Sequence, residues 1–550
     1  MRVCRFCTQC IFESGKTWDF HHGNSDGLSA SAVSRNSEAQ GCVFCSRLFA
    51  DLHGIVEAFN RPLYRWSIRK PGRTRESQDF IVIVFRPIHA VRGLAGGDID
   101  IWLPERAFYL FAEGSLGDLV REEDLGESTN SDPAWSRVTA WIDNCAKHHP
   151  TCNHRQSYLD FVPTRLLDLS TRRNGFVRLI ETKGMSITGP YCTLSHCWGN
   201  VKENQFINLT AANIKQFLNE GISLEQISNR NFTEALEVCE RLSVRYLWID
   251  SLCIVQHSEK NKSANAKEQE LEETDWHHEA PLMDQVYRHS HCNIAATASR
   301  DRNGGLFRAR NLDHLRGDGE LSLARYHTSR KLGIFGDTVW RIVPSDYWER
   351  ELLDNVLYTR AWVFQERMLA PRILHFSKNQ IFWDCGTLSA CEVLPSGLPQ
   401  PIDTISGTDR HWRQRLQDPS LPQQGPLAGE ATDSLEQFWK RAVQSYTKCN
   451  LTNGGDKLVA IWGVAKLVRA ALDEEYCVGM WERNFKEQLA WRVADCRTSS
   501  RPRPLRAPSW SWASMDGAIE LQDRLTSERL YAISSHDGKE IAFDLDPQFR

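Results

Sequence analysis

The stretch "YCTLSHCWGN" (residues 191–200) places a histidine, two cysteines and a tryptophan within ten positions that end in Gly-Asn. Its first five residues predict a short buried strand that ends at Ser195, and the turn at 198–200 follows. "YLWIDSLCIVQ" (246–256) repeats this arrangement, because an apolar run too short for a helix leads into Asp250. Both stretches therefore predict buried strands that carry polar residues at their carboxyl ends.

Strands and helices alternate in this part of the chain. The spacing of Phe232, Leu236 and Cys239 predicts a helix with Asn231 as its N-cap, and a helix around 283–290 precedes the small-residue strand "CNIAATA" (292–298). Such alternation is typical of a parallel sheet that is covered by helices on both faces. We therefore predict an α/β core built on a parallel sheet.

The flanks show other patterns. "FIVIVF" (80–85) predicts a strand, "ILHFSKNQIFWDC" (373–385) a hairpin, and "DKLVAIWGVAKLV" (456–468) an amphipathic helix. The charge run 258–274 predicts a solvated loop, and the polar segment 395–435 predicts a surface excursion. We expect a mixed α+β N-terminal flank and a mainly helical C-terminal flank, with units at 1–60, 61–180, 185–370 and 371–550.

The bulk composition limits the class of protein. The 550 residues carry 66 basic and 70 acidic side chains, so charge gives no reason to expect nucleic acid as a partner. We see no apolar run long enough to span a bilayer and no signal-peptide pattern. The 17 cysteines are an odd number spread over a long chain, which favours reduced thiols. We expect a soluble, cytoplasmic protein.

Two cysteine-rich segments are candidate metal sites. Two C-x-x-C pairs near the N-terminus are a common source of four zinc-binding thiolates, although the same segment also has the pattern of an apolar helix face around Phe44 and Leu48. In "CAKHHPTCNH" (145–154), metal binding competes with a helix that ends at Pro150. The candidate ligands are Cys4, Cys7, Cys42 and Cys45 in the first segment, and Cys145, His148, His149, Cys152 and His154 in the second.

Several uncommon strings occur in a fixed order: "YCTLSHCWG", "RYLWIDSLCIVQ", "DW" (275–276), "MDQVYRHSHCNIAATAS", "GGLFRAR" and "YTRAWVFQERMLAPRILHF". With the later "APSWSWASMDG" (507–517), they resemble fungal heterokaryon incompatibility (HET) domain proteins, over a core of roughly 191–370. The charged stretch 258–274 departs from the family pattern, since it lengthens one loop.

The resemblance implies non-self recognition in filamentous fungi, where HET-domain proteins take part in triggering growth arrest and cell death after hyphal fusion. It implies other signalling proteins as partners and leaves self-association open. The domain has also been likened to the TIR fold, some members of which cleave NAD. The function classes are therefore a death-signalling module, a TIR-like NAD-cleaving hydrolase, and a zinc-stabilised adaptor.

Asp250 and Glu366 are the candidate catalytic carboxylates. Asp250 follows a buried strand, where ligand-facing residues of open α/β sheets lie. A fixed carboxylate would also oppose the positive charge that develops on a ribose as nicotinamide leaves. The alternative for Asp250 is capping of the following turn, and for Glu366 it is an ion pair with Arg360, Arg367 or Arg372.

The remaining candidates are ligand-binding residues. His196 is a candidate general base or phosphate ligand, or else it fixes the turn, and Trp198 either stacks on a base or covers the core. The arginines of "GGLFRAR" (304–310) either clamp a phosphate or belong to a loop anchored by Leu306 and Phe307. Cys197 and Cys253 read as buried, inert thiols. The candidate ligand-binding residues are Ser195, His196, Trp198, Arg308, Arg310 and Arg360.

Overall fold

Two large sheets form the framework of the protein, one of six strands and one of nine. Three two-stranded ribbons accompany them. The computed structural model describes residues 3–13, 28–29, 41–51, 62–70, 80–87, 91–92, 100–101, 103–121, 124–153, 161–199, 207–256, 266–310, 323–328, 335–417, 435–482 and 485–522.

The six-stranded sheet is antiparallel throughout and has the order β1-β2-β3-β6-β14-β13. Its last two strands come from the middle of the chain. The strands are β1 Leu28–Ser29, β2 Pro62–Arg69, β3 Phe80–Pro87, β6 Arg106–Ala112, β13 Ala324–Thr328 and β14 Thr338–Pro344, and the ribbons are β4 Val91–Arg92 with β5 Asp100–Ile101, β18 Tyr476–Cys477 with β19 Met480–Trp481, and β20 Arg492–Val493 with β21 Ile519–Glu520.

The nine-stranded sheet has the order β10-β8-β7-β11-β9-β12-β15-β16-β17. Its edges are antiparallel, and pieces from both sides of the 185–370 segment extend it. Its strands are β7 Arg165–Asp168, β8 Phe176–Glu181, β9 Tyr191–Ser195, β10 Ile222–Ser223, β11 Tyr246–Trp248, β12 Cys292–Ala295, β15 Arg372–Phe376, β16 Ile381–Cys385 and β17 Ser389–Cys391.

The centre of this sheet is parallel, with β11, β9, β12 and β15 as consecutive neighbours. Numbered by their occurrence in the chain, these four strands follow the order 2-1-3-4 of a doubly wound fold. The chain leaves β9 toward one side and later returns to the other, so the order reverses between β9 and β12. Open α/β sheets bind ligands at such a reversal, beyond the carboxyl ends of the strands.

Helices cover both faces of the parallel strands. Neighbouring residues of a strand point to opposite faces. Cys192 meets Cys239 of one helix, whereas Ser195 meets Glu366 of another. The helices are α1 Arg5–Cys7, α2 Val43–Ala50, α3 Asp132–His148, α4 Pro150–Asn153, α5 Ile214–Asn219, α6 Arg230–Arg241, α7 Asp250–Cys253, α8 Ala266–Glu279, α9 Met283–Arg288, α10 Ala361–Leu369, α11 Ile405–Gln417, α12 Leu435–Tyr446, α13 Val459–Leu472 and α14 Phe485–Gln488.

Burial explains why these segments are strands. All five residues of β9 and all of β11, β12, β15 and β16 are buried. A parallel strand that is covered on both faces needs apolar or hydrogen-bonded side chains at every position. Short apolar runs such as "YLW" meet this requirement, and the segments between the strands form the helices that cover them.

Most predicted elements of the α/β core are confirmed, including the parallel central strands and the hairpin of β15 and β16. The predicted N-cap of α6 is wrong, because the Asn229 side chain accepts from the backbone N–H of Asn231. Residues 266–274, expected in a loop, lie in helix α8. Within the expected surface excursion, α11 is a helix that buries Trp412 and Leu416. The remaining residues of segments 258–274 and 395–435 lie partly outside the described residues.

Candidate functional site

A buried polar cluster lies between β9 and β12 and reaches the carboxyl end of β9. The Ser195 hydroxyl donates to the Glu366 carboxylate, and the Asn293 amide nitrogen donates to Ser195 Oγ at 2.9 Å. Thr193 Oγ1, on the same face of β9, donates to Asn293 Oδ1 at 3.0 Å. Tyr287 of α9 faces both Ser195 and Glu366. The cluster therefore lies at the reversal of strand order.

Glu366 is the carboxyl group of this cluster, and its pKa is strongly raised. It is 5% exposed, and burial raises the pKa of Glu366 to about 7, while the Ser195 hydrogen bond opposes this rise. The charge of Asp250 adds to the rise, and that of Arg360 opposes it. A carboxyl group with such a pKa can both donate and accept a proton near neutral pH.

A second, outer group joins Asp250 to Trp198 and His196. Trp198 Nε1 donates to Asp250 Oδ2 at 3.1 Å, while the backbone N–H of Ser251 donates to Oδ1 at 2.7 Å. Asp250 thus also makes the local turn contact that was the alternative to a ligand-binding role. Its side chain is 22% exposed, so it lies closer to solvent than Glu366.

His196 is buried between the outer group and α6. Its ring packs edge-on against Phe232, and its Nδ1 lies 3.8 Å from Asp250 Oδ1. Burial lowers the pKa of His196 to about 4, so the ring is neutral at physiological pH and does not form an ion pair. Neither ring nitrogen has a hydrogen-bond partner within the part of the chain that the structure describes. The ring therefore retains unused hydrogen-bonding capacity.

The arginines predicted at the site separate into two places. Arg360 donates to the backbone carbonyl of His196, next to the cluster. Arg310 is buried elsewhere, where it pairs with Glu392 and donates to the carbonyl groups of Asn379 and Gly126, at 3.0 and 3.2 Å. The Arg310 guanidinium therefore binds the backbone of the 124–126 turn, which is a structural contact.

The loop "GGLFRAR" is held by a buried carboxylate. Glu234 of α6 accepts from the backbone N–H groups of Leu306 and Phe307, at 2.5 and 2.7 Å. Gly305 has a φ of +72°, and a Cβ there would lie 2.6 Å from the Glu234 carboxylate. Arg308 donates to the carbonyl of Gly305 at 3.3 Å. These contacts favour the anchored-loop alternative over a phosphate clamp.

The other arginines considered as partners of Glu366 are engaged elsewhere. Arg367 pairs with Asp409 on α11. Arg372 donates to Cys145 Sγ at 3.2 Å and to Asn153 Oδ1 at 2.6 Å. The hydrogen bond of Glu366 is thus with a neutral hydroxyl group.

The two cysteines next to the site are buried thiols. Burial raises the pKa of Cys197, and it raises the pKa of Cys253 to about 12. A thiol with a raised pKa is protonated at neutral pH and is a poor nucleophile.

Three residues, two of the cluster and one outside it, carry no local sequence signal. Asn293 and Tyr287 lie within strings quoted above, but nothing in those strings points to Ser195. Asp275, the aspartate of "DW", forms a buried ion pair with Arg165 of β7, with one contact at 3.1 Å. It also accepts from the backbone N–H of Val255 at 2.8 Å, and so connects α8 to the residues that follow α7.

The N-terminal cysteines form a cluster that can bind a metal ion. The sulfur atoms of Cys4, Cys7, Cys42 and Cys45 all lie within 4.8 Å of one another. Three of the S–S distances are 3.5, 3.7 and 3.9 Å. A tetrahedron with Zn–S bonds of about 2.3 Å has edges of about 3.8 Å, so the spacing fits. Phe44 and Leu48 are buried as well, so the metal pattern and the apolar helix face coexist.

The comparisons with known proteins give one match. The family model described as Heterokaryon incompatibility protein (HET) matches residues 191–366, which run from the first residue of β9 to the cluster carboxylate. No curated protein and no solved structure matches the chain. Among the described helices, none combines the length and apolarity needed to cross a membrane. Residues 191–366 are therefore similar to the heterokaryon incompatibility (HET) domain.

Proposed function

We propose that this protein is a non-self recognition and cell-death signalling module of a filamentous fungus, acting in the cytoplasm through contacts with other proteins. The family match is the observation that carries the proposal, because it bounds the segment that builds the polar cluster. Ser195 of β9 lies near the start of the matched segment, and Glu366 of α10 is its last residue. The residues that the family model matches therefore include both partners of the Ser195–Glu366 hydrogen bond.

The test is expression of the full chain in a filamentous fungus from an inducible promoter. We expect induction to reduce colony growth and to increase uptake of a dye that enters only dead cells. Glu366→Gln should abolish the effect, because the cluster loses an ionisable group while keeping its shape. Glu273→Gln, an exposed glutamate on α8, is the matched control and should act like the wild type. Normal growth after induction of the wild-type chain would contradict the proposal.

A second candidate function is hydrolysis of NAD. The observation that favours it is the placement of Asp250 and Glu366 at the reversal point of a doubly wound sheet. In this reaction water replaces nicotinamide at the ribose C1′ carbon, which yields nicotinamide, ADP-ribose and a proton. A carboxylate would stabilise the positive charge on the ribose, and His196 or Trp198 would contact the dinucleotide.

Purified protein and NAD separate these two candidates. Release of nicotinamide, measured by chromatography, that is lost in Asp250→Asn and Glu366→Gln would support hydrolysis. Asp143→Asn, with its carboxylate exposed on α3, should retain it. An absence of nicotinamide release would leave signalling by protein contacts, including self-association, as the function.

For the N-terminal cluster we propose a structural zinc ion bound by Cys4, Cys7, Cys42 and Cys45. All four positions of the tetrahedron would then be filled by protein ligands, which is the form of a structural site. The ion would fix α1 and α2 on the six-stranded sheet and would create the adaptor surface of the third function class. Metal analysis of the purified chain should show that Cys4→Ser lowers the zinc content by one ion per chain.

A further inference from the structure

A second group of metal-ligating side chains lies far along the chain from the N-terminal cluster. Cys145, His149, Cys152 and Cys385 each point one ligand atom into a common space, and these atoms all lie within 4.8 Å of one another. Three of the residues come from the end of α3, the following turn and α4. The fourth ends β16, which sequence reasoning did not connect with them.

We propose that Cys145, His149, Cys152 and Cys385 bind a structural zinc ion. The chemistry of the donor set is Cys₃His, a common set for tetrahedral zinc. Cys385 Sγ lies 3.4 Å from His149 Nδ1. With Zn–S bonds of about 2.3 Å and Zn–N bonds of about 2.1 Å, the S–N edge of a tetrahedron is about 3.6 Å.

The groups around the sulfur atoms are those that stabilise thiolates. The backbone N–H groups of Thr387 and Leu388 donate to Cys385 Sγ, at 3.4 and 3.3 Å. A guanidinium N–H of Arg372 donates to Cys145 Sγ at 3.2 Å. N–H groups directed at a metal-bound sulfur form the surrounding shell that orients ligands and tunes their basicity.

The charge balance gives an independent indication. Arg372 is 8% exposed, and its guanidinium contacts among the described residues are with a thiol, two backbone carbonyl groups and an amide oxygen, not with a carboxylate. A buried cation needs an opposite charge. Three thiolates and one Zn²⁺ carry a net charge of −1, which would neutralise Arg372. With neutral thiols, no contact of Arg372 among the described residues would carry the compensating charge.

The second ring nitrogen of the histidine, Nε2, faces the side chain of Asn144. Asn144 Nδ2 lies 3.4 Å from His149 Nε2, and a rotation of the amide by 180° would direct its oxygen at an N–H group on Nε2. That contact would keep the proton on Nε2 and the lone pair on Nδ1, which faces Cys385. His148, which competed for this role in the sequence, is exposed on α3, and His154 is outside the described residues.

Aromatic packing and a close backbone approach leave little free space around the site. The ring of Trp141 on α3 stacks on Trp383 of β16, with centroids 6.4 Å apart. A Cβ on Gly386 would lie 3.2 Å from Cys152 Sγ, so this position also has little free space. With four protein ligands and no open position, the site would have a structural role.

The site lies at the amino ends of the parallel strands, whereas the polar cluster lies toward their carboxyl ends. Cys385 pairs in register with Arg372, the first residue of β15, whereas Ser195 is the last residue of β9. Arg372 also donates to the carbonyl of His291, just before β12, at 3.3 Å. The zinc ion would therefore tie α3 and α4 to the beginnings of the parallel strands and leave their carboxyl ends free.

The test is the zinc content of the purified full chain, measured by mass spectrometry against protein concentration. With both clusters occupied, the wild type should contain two zinc ions per chain. His149→Ala should contain one, and the neighbouring control His148→Ala should keep two. Cys4→Ser should also contain one, so a failure of the N-terminal site is distinguishable from a failure of this one.

A conservative variant covers the case in which His149→Ala does not fold. His149→Cys supplies a thiolate at the same position, so it should remain soluble and keep two zinc ions. If neither variant is soluble, the wild type and Cys4→Ser decide by their zinc contents. The proposal is overturned if Cys4→Ser contains no zinc, or if soluble His149→Ala contains as much zinc as the wild type.

Discussion

Replacing Glu366 by glutamine should stabilise the protein at high pH. A buried acid whose folded-state pKa is raised keeps its proton in the folded state at a pH where the unfolded chain has lost it. The stabilisation due to this difference is fully present below the ordinary pKa of 4.5 and is lost as the pH rises toward about 7. Glutamine keeps the shape and still accepts from Ser195, but it cannot ionise.

The magnitude follows from the two pKa values. Each pKa unit corresponds to about 1.4 kcal/mol, so the full move from 4.5 to about 7 corresponds to roughly 3.5 kcal/mol, most of which is reached by pH 8. Glu366 is 5% exposed, so solvent screening reduces this value little. We expect Glu366→Gln to gain about 3 kcal/mol relative to the wild type between pH 4 and pH 8.

The assay is urea unfolding of the full chain at a series of pH values, followed by tryptophan fluorescence. The quantity compared is the difference in unfolding free energy between variant and wild type. Glu273→Gln, which changes an exposed carboxylate, should show a difference that stays within about 0.5 kcal/mol across the same pH range. A flat difference for Glu366→Gln as well would refute the reasoning, because it would mean that Glu366 ionises as it does in water.

Further substitutions test the packing of the fold. Gly463→Ala should lower the unfolding free energy by about 1 to 3 kcal/mol, because the added Cβ would lie 2.5 Å from a side-chain carbon of α9. The control Gly114→Ala, whose Cβ would have no atom within 4 Å, should change the unfolding free energy by less than about 0.5 kcal/mol. Asp275→Asn should cost about 3 to 5 kcal/mol in the same assay, since it leaves the Arg165 cation buried without its partner. Trp383→Ala should cost about 3 to 5 kcal/mol in calorimetry through the cavity it creates, and a cost below 1 would show that the hairpin closes over it.

The strands of the parallel core are predictable from short patterns. "YCTLS" and "YLW" are too short and too apolar for anything but strands that are buried on both faces. The same patterns place Ser195 and Asp250 where strands end. Prediction fails at α8, because the charges of 266–279 are typical of a solvated loop and equally of a helix that docks through a few residues. Asp275 makes that docking contact, and no periodicity shows it.

The chain alone also indicates the N-terminal cysteine cluster, since each C-x-x-C pair carries its own local signal. The second cluster needs Cys385, which is 236 residues from His149. Its sequence context is that of a hairpin strand, and only the packing of α3 against β16 brings it to the end of α3.

The amino-acid sequence by itself determined the similarity of residues 191–366 to the HET domain, the alternation of strands and helices, and the residues that end the central strands. The tertiary structure alone decided which of those residues meet. Ser195 and Glu366 are 171 positions apart, and they touch because the order 2-1-3-4 sets β9 beside β12 and places α10 over that face. Local patterns record whether a residue is buried, whereas contacts between remote residues depend on strand order, and strand order is fixed by the packing of the whole sheet.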